Sequence, residues 1–187
     1  MTMCSEDVKS LMFLNEDEAG TIEAITARLI PGDPSSPGAR EAGAVIYIDR
    51  SLAGYYSFLQ TFYRQGIDEL NHLSKSMYKT SFAHLSESQQ DELLHEIERS
   101  LTDEVPSRMS QFFAVVYEHT LEGTFGDPLY GGNRNTVGWK LIGFPGAQWG
   151  YTADQMKLGY DVEQINVLTL SDVRKKENQW AVNGVKK

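Results

Sequence analysis

The chain has 187 residues, 41% hydrophobic and 23% charged, the make-up of a single globular domain able to bury a core without disulfide or metal staples. With 17 Lys and Arg against 26 Asp and Glu its net charge is -9, which disfavours nucleic acid and anionic membrane surfaces as partners. The single cysteine, Cys4, excludes an internal disulfide framework and leaves either a free thiol or a disulfide to a partner chain.

No apolar run approaches the roughly 20 residues that span a bilayer. The short run Ser10 to Leu14 follows Glu6 and Asp7, so it does not read as a secretion signal, and an exported protein would need its signal from elsewhere or from a partner. The only basic run, Arg174 to Lys176 together with Lys186 and Lys187, reads as a solvated tail.

Residues 1–14 form a tail. Asn15 then offers a helix cap, Glu18 stands three residues on, and Glu16 and Asp17 load the first turn with negative charge. Ile22, Ile25 and Leu29 follow at helical spacing, and Pro31 stops the helix in the turn-rich stretch "PGDPSSPG". Val45, Ile48, Leu52, Tyr55, Leu59 and Phe62 predict a second helical stripe, continuing through Ile67, Leu70, Ser74 and Met77. Gly54 and Gly66 leave open whether this is one helix or two. Ser86 and Gln89 form a capping box before Leu93, Leu94, Ile97 and Leu101. After Pro106, the residues Phe112, Phe113, Val116, Thr120 and Leu121 predict a further helix ending near Gly123.

Beyond Gly123 helical periodicity fades, and only "EQINVLTL" from Glu163 reads as a strand or extended apolar segment. The expectation is an all-α chain: a bundle of about five helices with a long, mostly irregular C-terminal arm. It divides into the tail, a helical domain over 15–123, and a glycine–aromatic loop with its arm over 124–187, one structural domain overall. An irregular segment this long is uncommon in a compact monomer unless it is functional or lies against something.

Two Glu-x-x-His pairs, Glu69 with His72 and Glu92 with His95, have the spacing used in carboxylate-bridged metal sites of helical bundles. Such ligands must point inward. At about 100° per residue both pairs fall away from the apolar stripes of their helices, so solvated faces are the stronger reading. His119 lies beside Glu118 and near Glu122 and Asp127, but no nucleophile accompanies it in sequence. Its expected role is a histidine favoured at the negative end of a helix, with general-base chemistry as the alternative. An enzyme using any of these groups is one alternative function; a free-standing helical scaffold is another.

The stretch "GDPLYGGNRNTVGWKLIGFPG", Gly126 to Gly146, holds six glycines and two prolines. It matches neither a dinucleotide nor a P-loop fingerprint, and no strand precedes it, so phosphate binding fails as an explanation. What remains is shape. Asp127-Pro128 starts a turn, and Gly131, Gly132 and Asn133 tolerate left-handed backbone angles. Trp139, Phe144 and Trp149 either anchor a partner or fold back on the chain's own core, and the residue pattern alone leaves both open.

The block "EGTFGDPLYGGNRNTVGWKLIGFPG", with the earlier "FLNEDEAGTIEAITARLIPGD", resembles the gluconate 2-dehydrogenase subunit 3 family. The resemblance rests on Glu122-Gly123, Gly126-Asp127-Pro128, Tyr130 to Asn133, Gly138-Trp139 and Gly143 to Gly146, and spans Phe13 to Gly146. It implies a non-catalytic small (gamma) subunit of a membrane-associated FAD-dependent sugar, sugar-acid or glycoside dehydrogenase. The partner it implies is a large flavoprotein of the glucose–methanol–choline (GMC) type that carries FAD. A cytochrome c subunit with haem c takes the electrons onward. The small subunit supports folding, stability and export of its partner in a chaperone-like way, and residence is periplasmic. On this reading the chain itself holds no cofactor, metal or catalytic residue. Its partner interface is expected at Asp127, Pro128, Tyr130, Gly131, Gly132, Asn133, Trp139, Phe144, Pro145 and Trp149, with Cys4 either a free or an intersubunit thiol.

Overall fold

The structure is a computed structural model that describes residues 11–175; Cys4, Lys176, Lys186 and Lys187 lie outside the described residues. Among the described residues, seven α-helices with both ends defined follow in chain order: α1 Glu16–Leu29, α2 Ala39–Ala42, α3 Ala44–Ala53, α4 Gln60–Tyr78, α5 Glu87–Arg99, α6 Arg108–Phe125 and α7 Val137–Leu141. Residues 170–175 are also helical. Five of the seven have ten residues or more, and no strand forms among the described residues. The fold is all-α, a helical bundle with an irregular C-terminal arm.

Local chemistry sets the helix starts. The Asn15 side chain accepts from the Glu18 N–H at 2.9 Å, and Glu18 accepts the Asn15 N–H in return at 2.9 Å. Ser86 and Gln89 repeat this box at α5, and Ser107 caps α6 by accepting the Ser110 N–H at 3.0 Å. Each cap satisfies backbone donors that have no partner inside the helix.

The stripe that predicted one or two helices divides at Gly54: α3 ends there, a 3₁₀ turn Ser57–Leu59 comes next, and α4 begins at Gln60. Gly66 stays inside α4, where the Phe112 ring lies against it. The last long helix does not stop at Gly123. Ala44 and Tyr47 pack against that glycine, and α6 continues to Phe125, with Gly126 as its cap.

Helix α6 is the hub, and each of the other six helices packs on it. Its Phe112, Phe113 and Val116 join Ile22 and Ile25 of α1, Ile46, Ile48 and Leu52 of α3, Tyr63, Ile67 and Leu70 of α4, and Leu93 and Ile97 of α5 in one core. Fully burying a side chain of this size contributes roughly 1.5–3 kcal/mol. The Arg28 guanidinium clamps α1 to α5, with both oxygens of Asp91 at 2.7 and 2.8 Å and Glu87 at 2.7 Å. Asp49, wholly buried, accepts the backbone N–H groups of Met12, Phe13 and Leu14 at 2.7, 3.0 and 2.8 Å and so pins the segment leading into α1.

Candidate functional site

At the C-terminal end of α6 the last carbonyl groups of the helix need partners. The glycine-rich stretch supplies them. Asn133 donates its backbone N–H to the Gly123 oxygen at 2.8 Å and its side-chain Nδ2 to the Gly126 oxygen at 2.8 Å. The Trp139 indole Nε1 donates to the Phe125 oxygen at 2.7 Å. The Asn133 Oδ1 accepts the Gly138 N–H at 2.9 Å, which closes the loop on itself. Asn133 sits at φ +45 and is completely buried; asparagine adopts this left-handed region more readily than most residues. Gly132 lies so close to α6 that a Cβ there would collide with the Gly123 carbonyl oxygen. The block is an extended C-terminal cap for the hub helix.

The Asp127 carboxylate ties the start of the loop to the end of the arm. Its Oδ1 accepts the Leu129 N–H at 2.9 Å and holds the turn Pro128–Tyr130, while Oδ2 accepts the Leu170 N–H at 2.8 Å, 43 residues away. Nearby, Gly146 and Leu168 form an isolated parallel bridge: Ala147 donates to the Leu168 oxygen at 2.7 Å, and Leu168 to the Pro145 oxygen at 3.2 Å. Gln148 Nε2 donates to the oxygens of Pro145 and Asn166 at 2.7 and 2.9 Å. The segment read from sequence as a strand therefore contributes one bridge. A 3₁₀ turn at Val162–Gln164 and the helical residues from 170 take up the rest.

Between these staples residues 149–164 project as a loop. Trp149, Tyr151, Met156, Leu158 and Val162 are all exposed along it, Leu158 entirely so. With Leu129, Tyr130, Leu141, Ile142 and Phe144 on the adjoining scaffold, ten of the seventeen exposed large hydrophobic residues among those described fall between 129 and 162. Apolar exposure is thus concentrated in this part of the chain, and concentrated apolar exposure marks interaction surfaces.

The titratable groups singled out in the sequence separate in space. Glu69, His72, Glu92 and His95 all lie on outward faces of their helices, the orientation that helical spacing predicts. Glu92 accepts from the Tyr78 hydroxyl at 3.1 Å, and His95 Nδ1 lies 3.4 Å from Glu98. His72 faces an open polar trough of about 1110 Å³ along α1 and α4. Among the described residues no three His, Cys, Asp or Glu side chains converge to hold a metal ion, and no helix is long and apolar enough to cross a membrane.

His119 is not the helix C-terminal, dipole-stabilised histidine that its position suggested. It lies nearly two turns inside α6, is 4% exposed, and stacks against the rings of Tyr56 and Tyr63 at 4.3 and 5.8 Å between centroids. Its Nδ1 is 2.7 Å from the Tyr63 hydroxyl. Burial lowers the His119 pKa below the usual histidine value, against the opposing charges of Glu122 and Glu118. Burial, and then the Glu122 charge, hold the Tyr63 phenol well above its ordinary value. The phenol is therefore protonated and the imidazole neutral, and one hydrogen bond joins them. Glu122 in turn accepts from Tyr47 and Tyr56 at 2.8 and 3.1 Å. The residues of this cluster come from separate elements, so no sequence spacing announces it.

A family model described as gluconate 2-dehydrogenase subunit 3 matches residues 16–146. The chain belongs to the gluconate 2-dehydrogenase subunit 3 family. Comparison with curated proteins and with solved structures finds no match.

The family's name describes one subunit of a dehydrogenase complex, an oxidoreductase assembly with other chains in it. The matched span of this gluconate 2-dehydrogenase subunit 3 chain opens on the first residue of α1 and closes on Gly146, at the foot of the projecting loop. It thus contains the bundle and the cap on α6. The sequence-derived interface residues divide within this frame. Gly132, Asn133 and Trp139 are buried and shape the scaffold. Asp127, Pro128, Gly131 and Pro145 are half-buried in its turns, and Tyr130, Phe144 and Trp149 stand exposed. Trp139 and Phe144 meet edge to face at 5.3 Å, so the buried ring supports the exposed one.

Proposed function

We propose that this chain is the non-catalytic small subunit that binds and stabilises a large FAD-dependent dehydrogenase of the GMC type acting on a sugar, sugar acid or glycoside. FAD and the chemistry belong to that partner, and electrons leave it through a cytochrome c subunit carrying haem c. The assembly resides in the periplasm, and the small subunit assists export of the flavoprotein.

One observation carries the reading: a loop fixed at its base by the Gly146–Leu168 bridge and by Asp127 offers a run of apolar side chains to the outside. At about 25 cal/mol per Å², covering on the order of 400 Å² of such surface contributes ~10 kcal/mol before the cost of association. A loop already held at both ends loses less freedom on docking than a free tail. Family membership supplies the kind of partner.

The test is expression of the flavoprotein with and without this chain, followed by fractionation and assay. Joint expression is expected to give a soluble, flavin-containing periplasmic complex, and omission to give aggregated or lost flavoprotein. The isolated chain is expected to be colourless and inert toward carbohydrates with any electron acceptor. A flavoprotein equally soluble and active alone would overturn the proposal, as would turnover by the isolated chain.

A further inference from the structure

A second exposed cluster lies where the end of α3 meets the start of the glycine-rich loop. Tyr47, Arg50, Ser51, Tyr55, Tyr56 and Tyr130 line a crevice of about 410 Å³. Its back wall is fixed. The hydroxyls of Tyr47 and Tyr56 both donate to Glu122, so they are satisfied and their rings are held in place. Tyr56 rests on His119, which rests on Tyr63 in the core. The front is open: Tyr55 is 83% exposed, and Phe58, edge-on to Tyr56, is 73% exposed.

The rim carries a guanidinium. Gly131, at φ +103, brings the loop backbone against Arg50, and a Cβ there would stand 2.8 Å from both the arginine Cδ and Nη1. Glycine at 131 thus permits the left-handed turn and leaves room for Arg50. Arg50 is exposed, and its guanidinium has no carboxylate or hydrogen-bond partner among the described residues. An unengaged cation is notable in a chain with 26 acidic and 17 basic residues.

We propose that this crevice receives one segment of the flavoprotein subunit: a surface turn presenting a carboxylate side chain beside an apolar one. The carboxylate pairs with Arg50, and the apolar group packs on Tyr55, Tyr56 and Tyr130. The inference rests on the reading of this chain as a docking subunit and adds where the partner is gripped and by what chemistry. A planar guanidinium offers a two-pronged donor set that matches a carboxylate. Surrounding ring faces exclude water from that pair, and tyrosine and arginine are the residue types that dominate interface energetics. A second copy of this chain is the weaker occupant, because two molecules of net charge -9 repel.

The experiment uses the purified two-subunit complex. Tyr55 is replaced by photoreactive p-benzoylphenylalanine and the complex is irradiated. Separately, Arg50→Glu and Arg50→Lys chains are titrated against the flavoprotein at low and high salt. The crosslink is expected on one flavoprotein peptide with Asp or Glu within two residues of an apolar side chain. Arg50→Glu is expected to raise Kd tenfold or more and Arg50→Lys less, with the gap narrowing at high salt. Because Arg50 is exposed and unpaired among the described residues, the melting temperature of either variant is expected to match the parent; if Arg50→Glu misfolds, the crosslink decides alone. A crosslink to a second copy or to a peptide without an acidic residue overturns the proposal, and so does an unchanged Kd for Arg50→Glu. Those outcomes leave the small-subunit reading standing. Failure of the unmodified chain to form any complex overturns both.

Discussion

His119 couples the core to pH. Its folded pKa is depressed, so between that value and the unfolded value near 6.5 the unfolded chain binds more protons than the folded one. The contribution of the neutral buried ring is therefore fully present above about pH 6.5. It is lost as pH falls from there through the folded pKa. In denaturant titrations from about pH 7.5 down to about 5, His119→Gln is expected to lower stability at the upper end by loosening the Tyr56 and Tyr63 contacts, yet to lose less on acidification than the parent. Parallel pH curves for the two proteins would show that His119 is not the group responsible. Asn133 makes a different expectation. Asn133→Ala removes both side-chain hydrogen bonds, strands the Gly126 oxygen and the Gly138 N–H, and keeps a strained φ of +45. A loss of roughly 2–4 kcal/mol is expected in urea unfolding. The caps at Asn15 and Ser86 were readable from sequence because their partners lie three residues away. His119 and Asn133 were not, because their roles depend on residues brought in from other elements: Tyr63 lies 56 positions from His119, and Asn133 serves the carbonyls of α6.

At the scale of elements, the long helices were legible because apolar side chains repeat along them at helical spacing. What spacing could not decide was how each helix ends. Gly54 breaks the stripe and Gly66 does not, since a Phe112 ring against residue 66 favours glycine within the helix. The glycine-rich block was legible as a shaped loop, but its service as a cap on α6 emerges only once the carbonyl groups of that helix are traced to their partners. The same holds for the arm. Its one bridge and the Asp127–Leu170 bond join residues far apart in the chain, and no local pattern encodes them. Asp127→Ala removes the bond that closes the arm onto the scaffold. Hydrogen exchange at the Leu170 amide and its neighbours is expected to quicken by about tenfold, the equivalent of ~1.4 kcal/mol, while amides of α1 and α4 keep their protection. Unchanged exchange at Leu170 would mean that the bridge at Gly146 holds the arm by itself.

For the molecule as a whole, the bundle and the projecting loop make separable contributions. Core residues Ile22, Leu52, Tyr63 and Phe112 lie in a cluster that includes nothing from residues 149–164, where Trp149, Tyr151, Met156, Leu158 and Val162 face outward. Stability should therefore reside in the bundle and its cap, and association in the loop. Replacing residues 149–164 with a short Gly/Ser linker tests this division, because the chain ends at Gln148 and Ile165 are already held beside the bridge. The expected result has two parts. The melting temperature of the isolated chain stays within about 3 °C of the parent, since little buried surface is removed. Recovery of the flavoprotein in the co-expressed complex falls sharply, since the loop's share of the apolar docking surface is gone. A free-standing scaffold would give neither loss of partner nor any reason for the exposed run. A large drop in melting temperature would show that the loop covers the core. Full recovery of the complex would move docking onto the bundle, leaving Arg50 and its tyrosines as the surface to probe next.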